Sequence, residues 1–369
     1  MSDFNVAIIG AGIAGASLAA EISAFKSVLL IEAEAQPGYH STGRSAAFWD
    51  ESYGGPSVQP LTTASGSFLA NPAPQFHDGP LMHPRGALHL GTQGHQSLAD
   101  ALLSDFASSN VRFERLGRAS IERHVPGLLP DWISGLWEPD CCDIDVGGLH
   151  GAYLRQAKRH GTHLQCNARV QSVQWKAGCW HVSAAGMNWT ADILVNAAGA
   201  WADEVAQVAQ VRPLGIQPYR RTIAQLSVLP AAPANLPLVI GLDGSFYFKP
   251  DSGGTLWLSP HDETPTAACD TAPEEIDVAL AIDRLQQVVD WEIHRVEHKW
   301  AGLRSFAPDR KPVIGPDPQN AAFFWLAGQG GFGIQTAPAA AILAASMIVD
   351  TIAPPAGVSA IDYMPDRLH

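Results

Sequence analysis

Three glycines near the start of the chain have the spacing of a turn that binds a pyrophosphate. Gly10, Gly12 and Gly15 form the pattern G-x-G-x-x-G, with Ile13 and Ala14 between the last two. The first glycine permits a tight turn, the second lets the backbone approach phosphates, and the third lets helix and strand pack closely. N–H groups at the start of the following helix would then face the anion. The motif predicts an adenine-dinucleotide site; the alternative is a glycine-rich turn in another α/β fold.

Polar residues beyond this motif add groups that such a ligand needs. Glu32 follows the turn by about 20 residues, where an acid accepts hydrogen bonds from a ribose. Its charge would repel a 2′-phosphate, which disfavours an NADP-type ligand. The next segment could hold phosphates through its hydroxyls, N–H groups and guanidinium, or could be an ordinary polar loop. That segment contains Ser41, Thr42, Gly43, Arg44 and Ser45.

Apolar patterning predicts the elements that position these residues. Apolar runs at 4–9 and 27–32 read as strands that flank a small-residue helix at 13–22, which makes a βαβ unit. A later strand ends in Asn196-Ala-Ala-Gly199, whose tiny side chains predict that another backbone approaches closely there. A strand at 323–327 runs into a second glycine-rich turn and a final helix. These patterns predict the α/β fold class, α+β overall.

The intervening segments predict a β-rich region with several helices. Residues 50–60 are polar and contain glycine and proline, which suggests a mobile lid. Helices are predicted at 97–107, 147–160, 274–290 and 337–349, the last as a buried helix, because no apolar run reaches the ~18 residues that span a bilayer. Strands are predicted at 86–90, 170–175, 179–183, 187–190, 244–249 and 255–258.

Composition bounds the compartment and the partners. At 369 residues the chain exceeds one typical domain and suggests two. The formal net charge of −13 argues against nucleic acid or an anionic membrane as the main partner. The five cysteines form no C-x-x-C pair, and the N-terminus enters the first strand directly. We therefore expect a cytoplasmic protein without a transmembrane segment; peripheral attachment at the inner membrane stays open.

Five segments, taken together, resemble one flavoprotein family, that of D-amino-acid oxidase, glycine oxidase and sarcosine oxidase. Within it, the chain is most similar to the D-arginine dehydrogenase type of D-amino-acid dehydrogenase. The resemblance covers almost the whole chain, and the second and last segments are long enough to be specific. The segments are Gly10 to Ser17, Gln36-Pro-Gly-Tyr-His-Ser-Thr-Gly-Arg-Ser-Ala-Ala47, Val195-Asn-Ala-Ala-Gly-Ala-Trp201, Trp300-Ala-Gly-Leu-Arg-Ser-Phe306 and Gln329-Gly-Gly-Phe-Gly-Ile-Gln-Thr336.

The resemblance implies a discontinuous Rossmann-type FAD-binding domain and a β-rich substrate-binding domain. The first would comprise residues 1–83, 140–212 and 300–369, and the second residues 84–139 and 213–299. The helix after the last glycine turn would point its N–H groups at the flavin N1–C2=O edge, which stabilises reduced flavin.

Within the FAD-binding domain, the resemblance implies that Glu32 holds the adenosine ribose and that Val170 meets the adenine through its backbone. Other residues implied along the cofactor are Gly10, Gly12, Ile13, Ala14, Gly15, Ser41, Thr42, Arg44, Ser45, Ala46, Ala47, Ala198, Gly199, Trp201, Gly302, Gly330, Gly331, Phe332, Gly333 and Ile334.

By family position, Arg221 and Arg304 are candidates to bind the carboxylate of an amino-acid substrate. The planar guanidinium grips a carboxylate in two places. Arg304 lies in an apolar segment, where an unpaired charge would be costly. Arg221 could instead be half of an exposed Arg220-Arg221 pair. We favour the ligand role for both arginines.

The resemblance also implies the other parts of the reaction. Tyr247 and Tyr53 would add a hydroxyl to the substrate carboxylate and a lid, or each could be a packed aromatic. The Gly331 carbonyl would accept a hydrogen bond from the substrate amine, with Gln335 beside it. Hydride transfer to flavin N5 would give an imino acid that water hydrolyses to a 2-oxo acid and ammonia. Because no side-chain base is evident, we expect solvent to take the proton of the amine.

Two positions depart from the arginine-oxidising pattern. Phe48 stands where that pattern has a histidine, and Ala87 stands where it has a glutamate for the guanidinium of the substrate. Losing that ion pair would cost ~1.5–3 kcal/mol or more. We therefore predict a neutral or apolar D-amino acid as substrate; Asp50 could supply a replacement charge, but the sequence does not fix its direction.

Several alternatives stay open at this stage. The chain could be a sarcosine- or glycine-type secondary-amine oxidase, a 2-hydroxy-acid or glycerol-phosphate flavoenzyme, a plain NAD-dependent dehydrogenase or a non-catalytic flavin-binding subunit. The electron acceptor, whether a quinone, O₂ or a carrier, is left open as well. No cysteine lies near residues 300–306, where the sarcosine-oxidase branch attaches its flavin, so non-covalent FAD is expected.

One motif suggests a metal and is declined. His294-Arg-Val-Glu297-His298 matches the H-x-x-E-H pattern of zinc peptidases, which requires a helix. The motif leads instead into the strand-like segment at 300–306. No metal site is therefore predicted.

Overall fold

The computed structural model describes residues 2–368. Within them the backbone forms two large sheets, one small sheet and eight α-helices. The helices are α1 (Ile13–Ile22), α2 (Gln59–Ala70), α3 (Gln96–Asp105), α4 (Arg118–His124), α5 (Val146–Arg159), α6 (Ala202–Val208), α7 (Glu275–Gln286) and α8 (Ala337–Ile348). The strands are β1 (Phe4–Ile9), β2 (Val28–Ile31), β3 (Phe48–Trp49), β4 (Met82–Pro84), β5 (Ala87–Gly91), β6 (Glu114–Gly117), β7 (Ser134–Glu138), β8 (Cys142–Ile144), β9 (His163–Gln165), β10 (Val170–Lys176), β11 (Cys179–Ala184), β12 (Met187–Asn196), β13 (Gln217–Leu229), β14 (Leu238–Gly241), β15 (Tyr247–Pro250), β16 (Thr255–Ser259), β17 (Thr264–Pro265), β18 (Glu292–Phe306), β19 (Val313–Pro316), β20 (Phe323–Ala327) and β21 (Gln329–Gly330).

The first large sheet carries the N-terminal glycine motif. Its strands run in the order β10-β11-β12-β1-β2-β9, and β20 joins β12 with β19 beside it. β1 lies parallel to both β12 and β2. Alternate residues of β1 enter two cores, Val6 and Ile8 on the face that meets α1 and α8, and Ala7 and Ile9 on the other. Burial on both faces explains why this strand is a continuous apolar run.

The second large sheet contains most of the strands from the segments predicted as the substrate-binding domain. Its order is β21-β18-β13-β16-β15-β14-β5-β7-β6, and β17 pairs with β13. The long strands β13 and β18 pair antiparallel from Gln217 with Phe306 to Leu229 with Glu292. A core that includes Leu226, Phe248 and Leu258 packs behind it. The small sheet has the strand order β3-β8-β4, and its strand β3 ends at Trp49, directly before Asp50.

The predicted α/β class and the Rossmann-type unit with a second, β-rich domain are confirmed. α1 and β20 have the predicted bounds, and the remaining predicted helices differ by a few residues at their ends. The strand predicted at 187–190 and the one predicted to end at Asn196 are a single strand, β12. The sequence analysis missed α2, which begins inside the stretch predicted as a lid and buries Leu61 and Leu69.

Three further details bear on the sequence predictions. β18 continues unbroken across residue 300, where a domain boundary was predicted. It also contains His294 and His298, so the helix that a zinc-peptidase motif requires is replaced by a strand. None of the helices within residues 2–368 has the length and apolar character needed to cross a membrane.

Candidate active site

The N-terminal glycines stand where two backbones meet. Gly10 has a φ of 101°, and a Cβ on it would collide with the carbonyl of Ala197. The Ala197 N–H donates to the Ile9 carbonyl at 2.9 Å. A Cβ on Gly15 would in turn collide with the Gly10 carbonyl. The close approach predicted from the tiny residues at 196–199 is confirmed.

A cavity, here called the Glu32 cavity, opens beside these glycines. It is lined by residues from β1, β2, the loop at 33–42, the start of β10 and the turn after β12, including Val170, Ala198 and Trp201. The buried Glu32 carboxylate accepts hydrogen bonds from the N–H groups of Ala11 at 2.8 Å and Glu34 at 2.9 Å. The acid is therefore fixed at the C-terminal end of the sheet.

A second cavity, here called the Arg304 cavity, continues from the first. The two share lining residues, among them Gly12, Thr42 and Gly199. Its far side is formed by β13, β18 and the last glycine turn. The predicted cofactor residues that line one or both cavities are Gly10, Gly12, Ile13, Ala14, Glu32, Ser41, Thr42, Arg44, Ser45, Ala46, Val170, Ala198, Gly199, Trp201, Gly302, Gly330, Gly331, Gly333 and Ile334.

Three predicted cofactor residues do not line these cavities. Gly15 packs against the Gly10 carbonyl, Ala47 belongs to the core under α1, and Phe332 packs on Phe306 and Val58. Their neighbours in sequence line the cavities, whereas these three residues pack into the protein interior.

Arg44 lines the Arg304 cavity, but its guanidinium is held by protein groups. It donates to the carbonyls of Thr271 and Ala301 and forms an ion pair with Asp270. These contacts occupy its fork, so the possibility that it holds phosphates is corrected: the side chain joins the loop at 41–45 to the substrate domain.

The last helix begins at Ala337, as predicted, but a turn separates it from the last glycine motif. In this turn before α8, the Thr336 N–H donates to the Phe332 carbonyl. The N–H groups nearest the Arg304 cavity therefore belong to this turn and not to α8 itself.

A guanidinium and a phenol meet where the Arg304 cavity ends. Nη1 of Arg304 donates to the hydroxyl of Tyr53 at 2.6 Å. A Cβ on Gly331 would lie 2.5 Å from that hydroxyl and 3.1 Å from Nη1, so only glycine leaves room for the pair. Nearby, the buried hydroxyl of Tyr247 finds no hydrogen-bond partner among residues 2–368.

Arg221 is buried, with 3% of its surface exposed, which excludes the exposed-pair alternative. Its Nε donates to the Asp262 carbonyl at 2.6 Å and its Nη2 to Glu263 at 3.3 Å. Nη1 has no partner in the described part of the chain, and the residue lines the Arg304 cavity. Burial, together with the charge of Arg304, lowers the pKa of Arg221.

Gln335 holds the loop before Tyr53 and is not among the residues that line the Arg304 cavity. Its side chain, 2% exposed, accepts from the Asp50 N–H at 3.2 Å. Its amide donates to the Tyr53 carbonyl and to the Thr62 hydroxyl. The predicted contact of Gln335 with substrate is therefore corrected to a positioning role, because its amide is already satisfied.

His261 is a site residue that the sequence analysis missed. Its ring meets the edge of Tyr247 at 5.6 Å, and Nδ1 donates to the Gly244 carbonyl at 2.6 Å. Burial and the charges of Arg221 and Arg304 lower the pKa of His261 to about 3. The ring is thus neutral. Its partners come from two other strands and their loops, so no local sequence signal could have identified it.

A third cavity, the Asp50 cavity, lies on the other side of Tyr53. It measures about 210 Å³ and is lined by Phe48, Asp50, Tyr53, His89 and Tyr247 together with apolar side chains. Asp50 and the next two residues of the predicted lid are buried. Tyr53 thus stands between this cavity and the Arg304 cavity, bonded to Arg304.

A comparison of the sequence with protein-family profiles identifies the family. The profile described as FAD dependent oxidoreductase matches residues 5–347. The chain belongs to this family of FAD-dependent oxidoreductases. The predicted cofactor, FAD, is confirmed by this membership.

Named relatives and solved structures agree with the family. The bifunctional protein ThiO/ThiG of Synechocystis sp. is 28% identical over 247 residues, which cover 66% of this chain but only 36% of that protein. Glycine oxidase from Geobacillus kaustophilus has a TM-score of 0.83 at 19% identity, with 94% of this chain and 95% of that chain covered. L-proline dehydrogenase from P. horikoshii has a TM-score of 0.85 at 20% identity, with 98% and 97% covered. The two structures establish the fold alone.

Proposed function

We propose that the chain catalyses the FAD-dependent oxidation of an α-amino acid of D configuration. The observation that carries the proposal is the Arg304–Tyr53 pair at the end of the Arg304 cavity, with the Tyr247 hydroxyl nearby. A guanidinium fork and phenol hydroxyls match the hydrogen-bonding demand of a carboxylate. The product would be an imino acid, which water hydrolyses to a 2-oxo acid and ammonia.

The two joined cavities support the proposed FAD site. Glu32 would receive the adenosine ribose, and the glycine turn before α1 would receive the pyrophosphate against helix N–H groups. Gly302, Gly330 and Gly331 would border the ring. When bound, FAD supplies the acceptor for a hydride. The free cysteines, Cys141, Cys142, Cys166, Cys179 and Cys269, line neither cavity, which supports non-covalent binding.

The chain's own groups would orient the substrate and leave its proton to solvent. Arg304, Tyr53 and Tyr247 would hold the carboxylate, and the free Nη1 of Arg221 could assist. The Gly331 carbonyl would accept a hydrogen bond from the amine. His261 stays neutral at physiological pH, since its pKa is lowered to about 3, and so is too weak a base to hold the amine proton.

The side chain of the substrate would lie in the Asp50 cavity. The likeness of residues 36–47 and 329–336 to D-arginine dehydrogenase-type enzymes supports the D configuration. Phe48 lines the cavity, and the fully buried Ala87 packs in the same apolar cluster as Phe48 and Tyr247. The part of the side chain next to Cα would therefore meet an apolar wall, as the sequence-based preference for apolar substrates requires.

Anaerobic mixing of FAD-loaded protein with a substrate panel tests this function. We expect D-amino acids to bleach the flavin absorbance and to release a 2-oxo acid and ammonia. Bleaching by N-methyl amino acids alone would favour a secondary-amine oxidase, and bleaching by 2-hydroxy acids alone a hydroxy-acid enzyme. If the protein binds FAD but no member of the panel bleaches it, the proposal is wrong.

A further inference from the structure

Three ionisable side chains meet at the wall of the Asp50 cavity, and we call them the Asp50 cluster: Asp50, His89 and Glu138. Their carboxylate and imidazole atoms lie within 4.8 Å of one another. All three are buried, with exposures of 0% for Asp50, 7% for His89 and 1% for Glu138. β5 and β7, which pair antiparallel, carry His89 and Glu138, and Asp50 directly follows β3.

One carboxylate oxygen of the cluster receives no hydrogen bond from the part of the chain that the structure describes. Oδ1 of Asp50 accepts from the N–H and hydroxyl of Ser52, both at 3.0 Å, and from the Tyr53 N–H at 3.1 Å. Glu138 accepts from the Ser52 N–H at 3.3 Å and lies 3.4 Å from Nε2 of His89. Oδ2 of Asp50 is buried and receives no hydrogen bond from an N–H or hydroxyl group of the described residues, and the Asp50 carboxyl lies within hydrogen-bonding reach of Glu138. Burying such an acceptor is costly unless a donor reaches it.

The charges of the cluster indicate that a cationic hydrogen-bond donor would complete it. Two carboxyl groups face one imidazole, and the buried thiol of Cys141 and the carboxyl of Glu51 are further titratable groups close to them. Burial and the Glu138 charge raise the pKa of Asp50 to about 8. Although burial lowers it, the pKa of His89 is raised overall by the hydrogen bond that its ring donates to Glu138 and by the charges of the two carboxylates. Without a ligand, the Asp50 carboxyl therefore holds a proton. A bound cation with N–H donors could take the place of that proton.

The position of the cluster relative to the proposed carboxylate site fixes what such a cation would be. Asp50 and His89 line the same cavity as Tyr247 and Tyr53, and the Tyr53 hydroxyl accepts a hydrogen bond from Arg304. Phe48 and Ile240 supply apolar wall in the same cavity. An amino acid whose carboxylate binds Arg304 could thus extend an aliphatic side chain past these residues to Asp50.

We propose that the Asp50 cluster binds the terminal ammonium or guanidinium group of the substrate side chain. The inference rests on the proposed function and deepens it by naming the substrate class, D-amino acids with basic side chains. It revises the expectation of a neutral side chain, which followed from Ala87. Ala87 and His89 lie two positions apart on β5 and therefore face the same side of the sheet. The carboxylate that position 87 lacks would be supplied by Asp50 and Glu138, which meet at His89.

The test compares D-lysine with D-norleucine, which has the same aliphatic chain without the ammonium. In the FAD-loaded wild-type protein we expect kcat/KM for D-lysine to exceed that for D-norleucine roughly tenfold or more. Asp50→Asn keeps the shape and the Oδ1 acceptor, so the fold should persist. It should reduce the ratio roughly tenfold by lowering the D-lysine value. Glu138→Gln should act in the same direction, whereas the exposed control Asp131→Asn should leave the ratio unchanged.

The outcomes separate this inference from the proposed function. If D-norleucine bleaches the flavin as well as D-lysine does, or the ratio is unchanged in Asp50→Asn, the cluster does not bind the substrate side chain. The inference then fails while the proposed function stands. If neither amino acid nor any other D-amino acid bleaches the flavin, the proposed function fails. A stoichiometric divalent metal in the purified protein that is lost in Asp50→Asn would identify a metal site instead and overturn the inference.

Discussion

Arg304 and Tyr53 are separated by 251 positions in the sequence, yet Nη1 of the first donates to the hydroxyl of the second at 2.6 Å. The bond joins β18 of the substrate domain to the loop after β3. Tyr53 thereby orients a buried charge, and the pair presents both groups at the end of the Arg304 cavity. The first three predictions concern this pair and the groups around it.

Replacing Arg304 should abolish most carboxylate recognition. For Arg304→Ala we expect kcat/KM for the preferred amino acid to fall roughly 100-fold, about 3 kcal/mol, because charge-assisted hydrogen bonds are lost. Arg304→Lys keeps the charge without the planar fork and should fall in between. Steady-state kinetics measure kcat/KM, and the FAD content of each variant shows whether the cofactor is still bound. The control is Arg295→Ala, whose side chain is 67% exposed; equal kinetics in both variants would contradict the assignment.

Tyr247→Phe should weaken substrate binding without lowering the stability of the protein. The Tyr247 hydroxyl is buried without a partner in residues 2–368, so its removal should leave the free energy of unfolding unchanged or raise it by up to ~1 kcal/mol. Substrate KM should rise roughly fivefold. By contrast, Tyr363→Phe removes a 2.9 Å bond to the Ser57 carbonyl and should lower stability by ~1 kcal/mol. Equal losses of stability in denaturant titrations of the two variants would argue against a hydroxyl kept for a ligand.

Gly331→Ala should displace the Arg304–Tyr53 pair. The added methyl group would lie 2.5 Å from the Tyr53 hydroxyl, closer than van der Waals contact allows. We expect KM for the amino acid to rise roughly tenfold while bound FAD remains near one per chain. Gly117→Ala is the matched control, because a Cβ there meets no atom within 4 Å. Unaltered kinetics in Gly331→Ala would show that the pair tolerates displacement.

Gln335→Leu should loosen the loop that carries Tyr53. It removes hydrogen bonds to the Asp50 N–H, the Tyr53 carbonyl and the Thr62 hydroxyl. We expect the free energy of unfolding to fall by about 2–4 kcal/mol and KM to rise more than kcat falls. The exposed Gln207→Leu serves as the control for thermal and chemical denaturation. A Gln335→Leu protein as stable as wild type would refute the positioning role.

Stability should depend on pH through Asp50. Its folded pKa of about 8 lies above the model-compound value of 3.8, so between those values the native state holds a proton that the unfolded chain releases. This contribution to the free energy of unfolding is complete below pH 4 and declines by up to ~1.4 kcal/mol per pH unit until about pH 8. Asp50→Asn should therefore gain stability relative to wild type as pH rises from 5 to 8. A pH-independent difference in urea titrations would contradict the raised pKa.

Short-range physics explains what could be predicted from the sequence. The steric demands of Gly10 and Gly15 and the apolar runs of β1 and β20 act over a few residues, so the pattern alone predicted these elements with near-correct bounds. The tiny residues at 196–199 likewise predicted a close backbone approach. Family membership and the FAD cofactor followed from the same short segments.

Side-chain direction was decided only by tertiary structure. Whether Arg44 reaches phosphates or carbonyls, whether Gln335 meets substrate or the loop at 50–53, and which way Asp50 points depend on partners tens to hundreds of positions away. The convergence of Asp50, His89 and Glu138 requires β3, β5 and β7 to be packed first. A local pattern specifies backbone geometry, whereas the partner of a buried charge is set by long-range packing.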